Sequence, residues 1–234
     1  MIKEPGSMTK DTTPPLLQLN NIYYQAGETQ ILRDISLSVR EGEFTLITGP
    51  SGCGKSTLLK IASSLISPDR GELLFDGKEI SRYTAEEYRR QVSYCAQTPA
   101  LFGDTVEDNL TFPWMLRNKK ADPDQLHHGL QRLALPEDIL KKPIEKLSGG
   151  EKQRVSLLRN IQFLPKVLLL DEITSALDEA NKQRVNDVIH QYVRQEKLAV
   201  LWVTHDQNEI SHADNVITLP ARASQHGENS HEPA

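Results

Sequence analysis

Short apolar and β-branched runs recur along the chain at 16–24, 31–39, 44–48, 73–75, 92–96, 167–170, 199–203 and 216–219, each of strand length. Helical spacing follows several of them, over 55–64, 180–195 and 207–212. Strand then helix, repeated, predicts a mostly parallel sheet with helices on its faces. The strands before residue 44 read as antiparallel, and Asp76-Gly77 after the run at 73–75 is a hairpin signal. Between about 98 and 165 the pattern changes to amphipathic stretches at 106–117, 124–133 and 150–163, which predict an inserted helical unit. The expected organisation is one domain over 16–219, flanked by a loose polar leader at 1–15 and a polar tail at 220–234. The tail histidines His226 and His231 read as solvated.

Composition narrows the function class. The net charge of −5 argues against a general nucleic-acid grip. Cys53 and Cys95 belong to no CxxC pair, so they read as reduced thiols rather than a metal or redox centre. No apolar run approaches the ~20 residues that span a bilayer, and the N-terminus lacks the order of a signal peptide. A cytoplasmic chain is expected, and any membrane role then needs a partner.

Chemistry enters at Gly49-Pro50-Ser51-Gly52-Cys53-Gly54-Lys55-Ser56, which fits G-x-x-x-x-G-K-[ST] between a strand and a helix. Glycines let backbone N–H groups converge on a phosphate, and the helix N-terminus adds positive potential. Lys55 is expected on the β- and γ-phosphates and Ser56 on Mg²⁺, with Thr57 next in the ATP-binding set. The apolar run at 167–170 ends in Asp171-Glu172, at the strand end where open α/β sheets bind ligands. Adjacent strand residues point oppositely, so Asp171 is assigned to the Mg²⁺ shell and Glu172 to the attacking water. Ser148 and Glu151 have capping-box spacing, which alone explains a well-capped helix. Gly149-Gly150 in its first turn costs roughly 1 kcal/mol per glycine and implies close approach of backbone to something, such as a phosphate.

The ordered set of 49–56, Leu147-Ser148-Gly149-Gly150-Glu151-Lys152-Gln153-Arg154, 167–172, Ser175-Ala176-Leu177-Asp178 and Thr204-His205 resembles the ATP-binding cassette family over about 16–219. The resemblance implies an α/β P-loop NTPase core, with an antiparallel β subdomain and an inserted α-helical subdomain. It implies an ATPase using ATP and Mg²⁺, whose two copies sandwich nucleotide head to tail. Ser148, Gly149 and Gly150 would meet ATP held by the opposite copy, and Asp178 would cross the same interface, though it also suits a helix N-cap. His205 would touch the γ-phosphate, and Gln97 would touch Mg²⁺ or water and report to a transmembrane partner. Where the family usually has an adenine-stacking aromatic this chain has Ala26, so Tyr24 is the expected platform. Leu158-Arg159-Asn160-Ile161 also departs from the usual pattern while keeping Arg159.

A soluble cassette in DNA repair or translation normally brings a coiled-coil insertion or a second cassette, and neither is present here. A non-hydrolysing regulator is disfavoured because Lys55, Asp171, Glu172 and His205 are all retained. The expected function is therefore the motor of a membrane transporter, peripheral on the cytoplasmic face and working with a separately encoded permease. The stretches 92–109, 112–114 and 165–179 are similar to enterobacterial iron-export cassettes, which implies a metal ion, iron, as cargo. The rival is another export or lipoprotein-releasing system.

Overall fold

The computed structural model describes residues 14–221; the expected leader lies almost wholly outside these residues, as do His226 and His231. In chain order the elements are β1 (Leu17–Ala26), β2 (Thr29–Val39), β3 (Phe44–Thr48), α1 (Lys55–Ala62), β4 (Arg70–Phe75), β5 (Lys78–Glu79), α2 (Ala85–Gln91) and β6 (Val92–Cys95). There follow α3 (Val106–Met115), α4 (Pro123–Arg132), α5 (Gly149–Ile161), β7 (Val167–Asp171), α6 (Glu179–Glu196), β8 (Ala199–Val203), α7 (Gln207–Ile210) and β9 (Asn215–Thr218).

Two sheets form. β2-β1-β4-β5 is antiparallel, and β6-β7-β8-β3-β9 is parallel at every pairing. β4 and β5 are joined at Asp76 and Gly77, both at positive φ (51° and 71°), the conformation a tight hairpin turn needs. Each central parallel strand is apolar on both faces, which is why it reads as an unbroken hydrophobic run. Leu168, Leu170, Val200 and Trp202 pack with α3, α4, α5 and α6 on one side. Val167, Leu169, Leu201 and Val203 pack with α1 and the antiparallel sheet on the other. The helical insertion thus shares a core with the parallel sheet.

Helix α2 is the element the hydrophobic pattern does not reveal. Only Tyr88 on it is buried, so it lacks an apolar stripe. Thr84 caps it, with Glu87 completing a reciprocal capping box. The same device starts α3, where Thr105 and Asp108 cap each other.

Candidate functional site

β3 leads straight into the glycine loop. At Gly49 (φ 140°) a Cβ would lie 2.8 Å from the Leu219 carbonyl oxygen, and at Gly54 (φ 104°) 2.7 Å from Leu32 Cδ2. Both positions demand glycine through backbone conformation and through neighbours that leave no room. Pro50, Ser51 and Gly52 form the exposed tip, with the Cys53 side chain buried beneath it. The Lys55 ammonium donates to the carbonyls of Gly49 (2.8 Å) and Pro50 (2.9 Å), so it is held over the loop although the residue is only 6% exposed. Ser56 and Thr57 follow on the first turn of α1, half-buried.

Asp171 ends β7 buried, and its two oxygens take two hydroxyls. Ser56 Oγ donates to Oδ1 at 3.0 Å and Tyr94 Oη to Oδ2 at 2.9 Å. Burial and Asp171 together push the Tyr94 phenol well above its ordinary range, so it stays a donor. Glu172 leaves the strand by a different route from simple alternation. Its backbone is left-handed (φ 48°), a conformation costing on the order of 1 kcal/mol for a residue with a Cβ, and its N–H is pinned to the Val203 carbonyl at 2.9 Å. Its carboxylate accepts from Gln97 Nε2 at 3.0 Å and faces His205 Nε2 at 3.4 Å. Glu172 and His205 line a cavity of about 270 Å³ together with Thr174, Ser175, Lys182, Thr204 and Asp206. Ser56, Gln97, Asp171, Glu172 and His205 are thus brought together at the carboxyl ends of the parallel strands, with Lys55 next to Ser56.

A second group lies at the start of α5. Ser148 caps the helix, and its N–H donates to Glu151 Oε2 at 2.8 Å while Lys142 pairs with Glu151 at 2.9 Å. Ser148 and Gly149 stay exposed. A Cβ on Gly150 would meet Leu177 Cδ2 at 3.1 Å and the Ala176 carbonyl oxygen at 3.2 Å. Close packing inside the chain therefore accounts for part of the glycine requirement. Asp178 is the N-cap of α6, accepting from the Asn181 N–H at 2.9 Å. These bonds hold its carboxyl below the usual range. Among the described residues no hydrogen bond or ion pair joins Ser148–Glu151 to the glycine loop.

Tyr24 stands opposite Leu32 in the β1–β2 ladder, half-buried against the core, while Ala26 is exposed near the turn. Since Leu32 touches Gly54, Tyr24 sits on the strand pair that borders the glycine loop. Two further residues belong to the site by contact and carry no motif of their own, Tyr94 and Glu209, whose carboxylate takes hydroxyls from Thr174 and Thr204. Gln153, inside the motif at 147–154, donates its amide to the Gln97 carbonyl. The Asn160 departure is also explained: its Oδ1 accepts from Ser93 on β6 at 2.6 Å. Arg159 donates to Asn109 at 2.9 Å and lies over Phe102.

A glycine loop and an acidic strand end on a parallel sheet, with a capped glycine pair on an inserted helical unit, define an ATP-binding cassette. The chain belongs to the ABC transporter family, whose family model matches residues 32–175. It is 64% identical over 220 residues to the "Probable iron export ATP-binding protein FetA" of Escherichia coli (strain K12), covering 94% of this chain and 98% of that one. It is 34% identical to the energy-coupling factor transporter ATP-binding protein EcfA1 of Mycoplasmopsis synoviae (strain 53), covering 87% of this chain and 79% of that one. In structure it is similar to the ATP-binding cassette MJ0796 in a dimeric post-hydrolysis state bound to ADP and Pi. The TM-score is 0.80 and the identity 27%, over 88% of this chain and 97% of that one. The protein is an ATPase of this family, and cassettes of the family bind nucleotide as dimers.

Proposed function

We propose that this chain hydrolyses ATP as the motor of an iron exporter, working as a head-to-tail pair on the cytoplasmic face of a membrane and driving a separately encoded permease. The observation that carries the catalytic part is the convergence of Gln97 and His205 on Glu172, beside the Ser56–Asp171 pair. The cargo is carried by the likeness to the iron-export protein of Escherichia coli.

Lys55 exchanges the loop carbonyls for phosphate oxygens, and the loop N–H groups complete the cradle. Ser56 and Asp171 offer hard oxygen donors 3.0 Å apart, a set that suits Mg²⁺. Ser56 and Asp171 would hold the ion, and among the described residues no group of three His, Cys, Asp or Glu is placed to do so. When bound, the ion offsets charge on the phosphoryl oxygens. Glu172 takes the proton of the attacking water, while Gln97 and His205 orient its carboxylate. Ser148 and Gly150 of one copy close the site of the other, and Tyr24 stacks on the base.

Among the described residues no helix is long and apolar enough to cross a membrane. A groove of about 450 Å³ between α2, the end of α3 and the end of α5 suits a short permease segment. Phe112, Leu116 and Phe163 supply its apolar lining and Arg89, Arg90 and Arg117 its basic residues, with Glu86 ion-paired to Arg90 at 2.6 Å. The Gln97 backbone, held by Gln153 of α5, connects that neighbourhood to the catalytic carboxylate.

The test is co-purification from native membranes in mild detergent, followed by iron efflux from vesicles holding the recovered complex. A polytopic membrane protein in about equal amount is expected, with ATP-dependent efflux abolished by Lys55→Ala. Recovery of the chain alone, or efflux unchanged in the variant, contradicts the proposal.

A further inference from the structure

Glu209 is a carboxylate that none of the steps above uses, and it is only 3% exposed. It lies on the short helix α7, four residues beyond His205. Its two oxygens are shared between two loops. Thr174 Oγ1 donates to Oε1 at 2.8 Å, and Thr204 Oγ1 donates to Oε2. Both threonines are themselves 3% exposed, so each hydroxyl depends on this one acceptor group.

The positions of the two threonines give the contact its meaning. Thr204 immediately precedes His205. Thr174 lies two residues after Glu172 and opens the turn Ser175-Ala176-Leu177 that leads to Asp178 and packs against Gly150. A second strap runs in parallel: Lys182, on the first turns of α6, donates to Asp206 Oδ2 at 3.0 Å. The Asp206 N–H in turn donates to Thr204 Oγ1 at 3.0 Å. The His205 loop and the Asp178 loop are therefore tied through buried side-chain bonds as well as through the β7–β8 ladder.

We propose that Glu209 is a positioning residue for ATP hydrolysis, holding His205 and the Asp178 turn in fixed register through the hydroxyls of Thr204 and Thr174. The carboxylate touches neither substrate nor the reacting atoms. Its work is to make two loops on different strands move as one body, so that the turn meeting the other copy and the histidine facing Glu172 are set together. Desolvation raises the Glu209 carboxyl above its ordinary range, while the two hydroxyl bonds and Lys182 oppose that rise. A buried acid with this balance is costly to keep unless its bonds serve a purpose.

The inference rests on the assignment of His205 and Asp178 to the ATP site. Steady-state ATPase kinetics on the full chain test it, with Glu209→Ala, Glu209→Gln, Thr174→Val and His205→Ala measured together. Glu209→Ala is expected to lower kcat by about tenfold or more with KM for ATP within about twofold, the pattern of a misplaced catalytic group. Glu209→Gln is expected to recover most of the rate, because its amide accepts from one threonine and donates to the other. If Glu209→Ala does not fold, Thr174→Val decides, since it removes one arm while keeping the side-chain volume. A lowered kcat at constant KM supports the proposal, and a wild-type kcat overturns it. A Glu209→Gln variant as slow as Glu209→Ala overturns it as well. Failure of the underlying site assignment shows differently, as a His205→Ala variant with wild-type kcat.

Discussion

Single side chains in this protein settle questions that motifs leave open. Asp171 and Glu172 are neighbours in sequence, yet one is sealed under two hydroxyls and the other is turned out by a left-handed backbone toward Gln97 and His205. Two carboxylates in such different surroundings are suited to different tasks. The motif residues were legible in the sequence because they are local and their spacing is fixed by the loop or helix they sit on. Tyr94 was not, since its partner Asp171 is 77 residues away and the contact exists only once β6 pairs with β7. Glu209 escaped for the same reason, with Thr174 35 residues distant, and although Gln153 stands in the motif at 147–154, its contact with Gln97 spans 56 residues. Chemistry at this scale is testable at Cys95, fully buried on β6, whose thiol is pushed up to about 12 by desolvation. At pH 8 its thiolate fraction is then on the order of 10⁻⁴. In a Cys53→Ser background, modification of Cys95 by a thiol reagent should be slow in the folded protein between pH 7 and 9 and should follow unfolding by denaturant. Rapid labelling of the folded protein in that range would show an accessible thiol instead.

Elements were read well where an apolar period exists and poorly where a cap does the work. The parallel strands emerged from unbroken runs such as 167–170 and 199–203, and the strand core confirms them as buried on both faces. Several strand and helix ends, both ends of β3 and β8 among them, coincide with those expected from the sequence, and the rest lie within three residues of them. α2 went unseen because one buried tyrosine makes no stripe, although Thr84 and Glu87 spell a capping box. α3 shows how much a cap carries, for it holds Pro113 inside its length and lines the groove beside α2. Thr105 accepts from the Asp108 N–H, and Asp108 takes the N–H groups of Asp104 and Thr105. Thr105→Ala should cost about 1 kcal/mol of stability, read as a lower denaturant midpoint at unchanged slope. An unchanged midpoint would mean that tertiary packing alone fixes the start of α3.

At the scale of the whole molecule, two groups of candidate site residues lie on different parts of one chain. The first surrounds the glycine loop and the ends of β7 and β8; the second is the exposed start of α5 with Ser148 and Gly149. Gly150 packs on the turn leading to Asp178, so the second group is braced from within while Ser148 and Gly149 stay exposed on its outer face. This division follows from topology: α5 belongs to the inserted helical unit, whereas the glycine loop follows β3 at the heart of the parallel sheet. It could be anticipated from the sequence only through family resemblance, since nothing in the spacing of 49–56 and 147–151 says on which molecule the two meet. A site completed by a partner copy is therefore expected. Slowing hydrolysis with Glu172→Gln, which keeps the shape of the side chain but removes the proton acceptor, should trap that assembly. The measurement is the mass of the Glu172→Gln protein in solution with and without saturating Mg-ATP. A shift from one copy to two on adding nucleotide, lost again in Glu172→Gln/Ser148→Arg, is the expected result. A protein that stays monomeric with ATP demonstrably bound would contradict the composite site for the isolated chain.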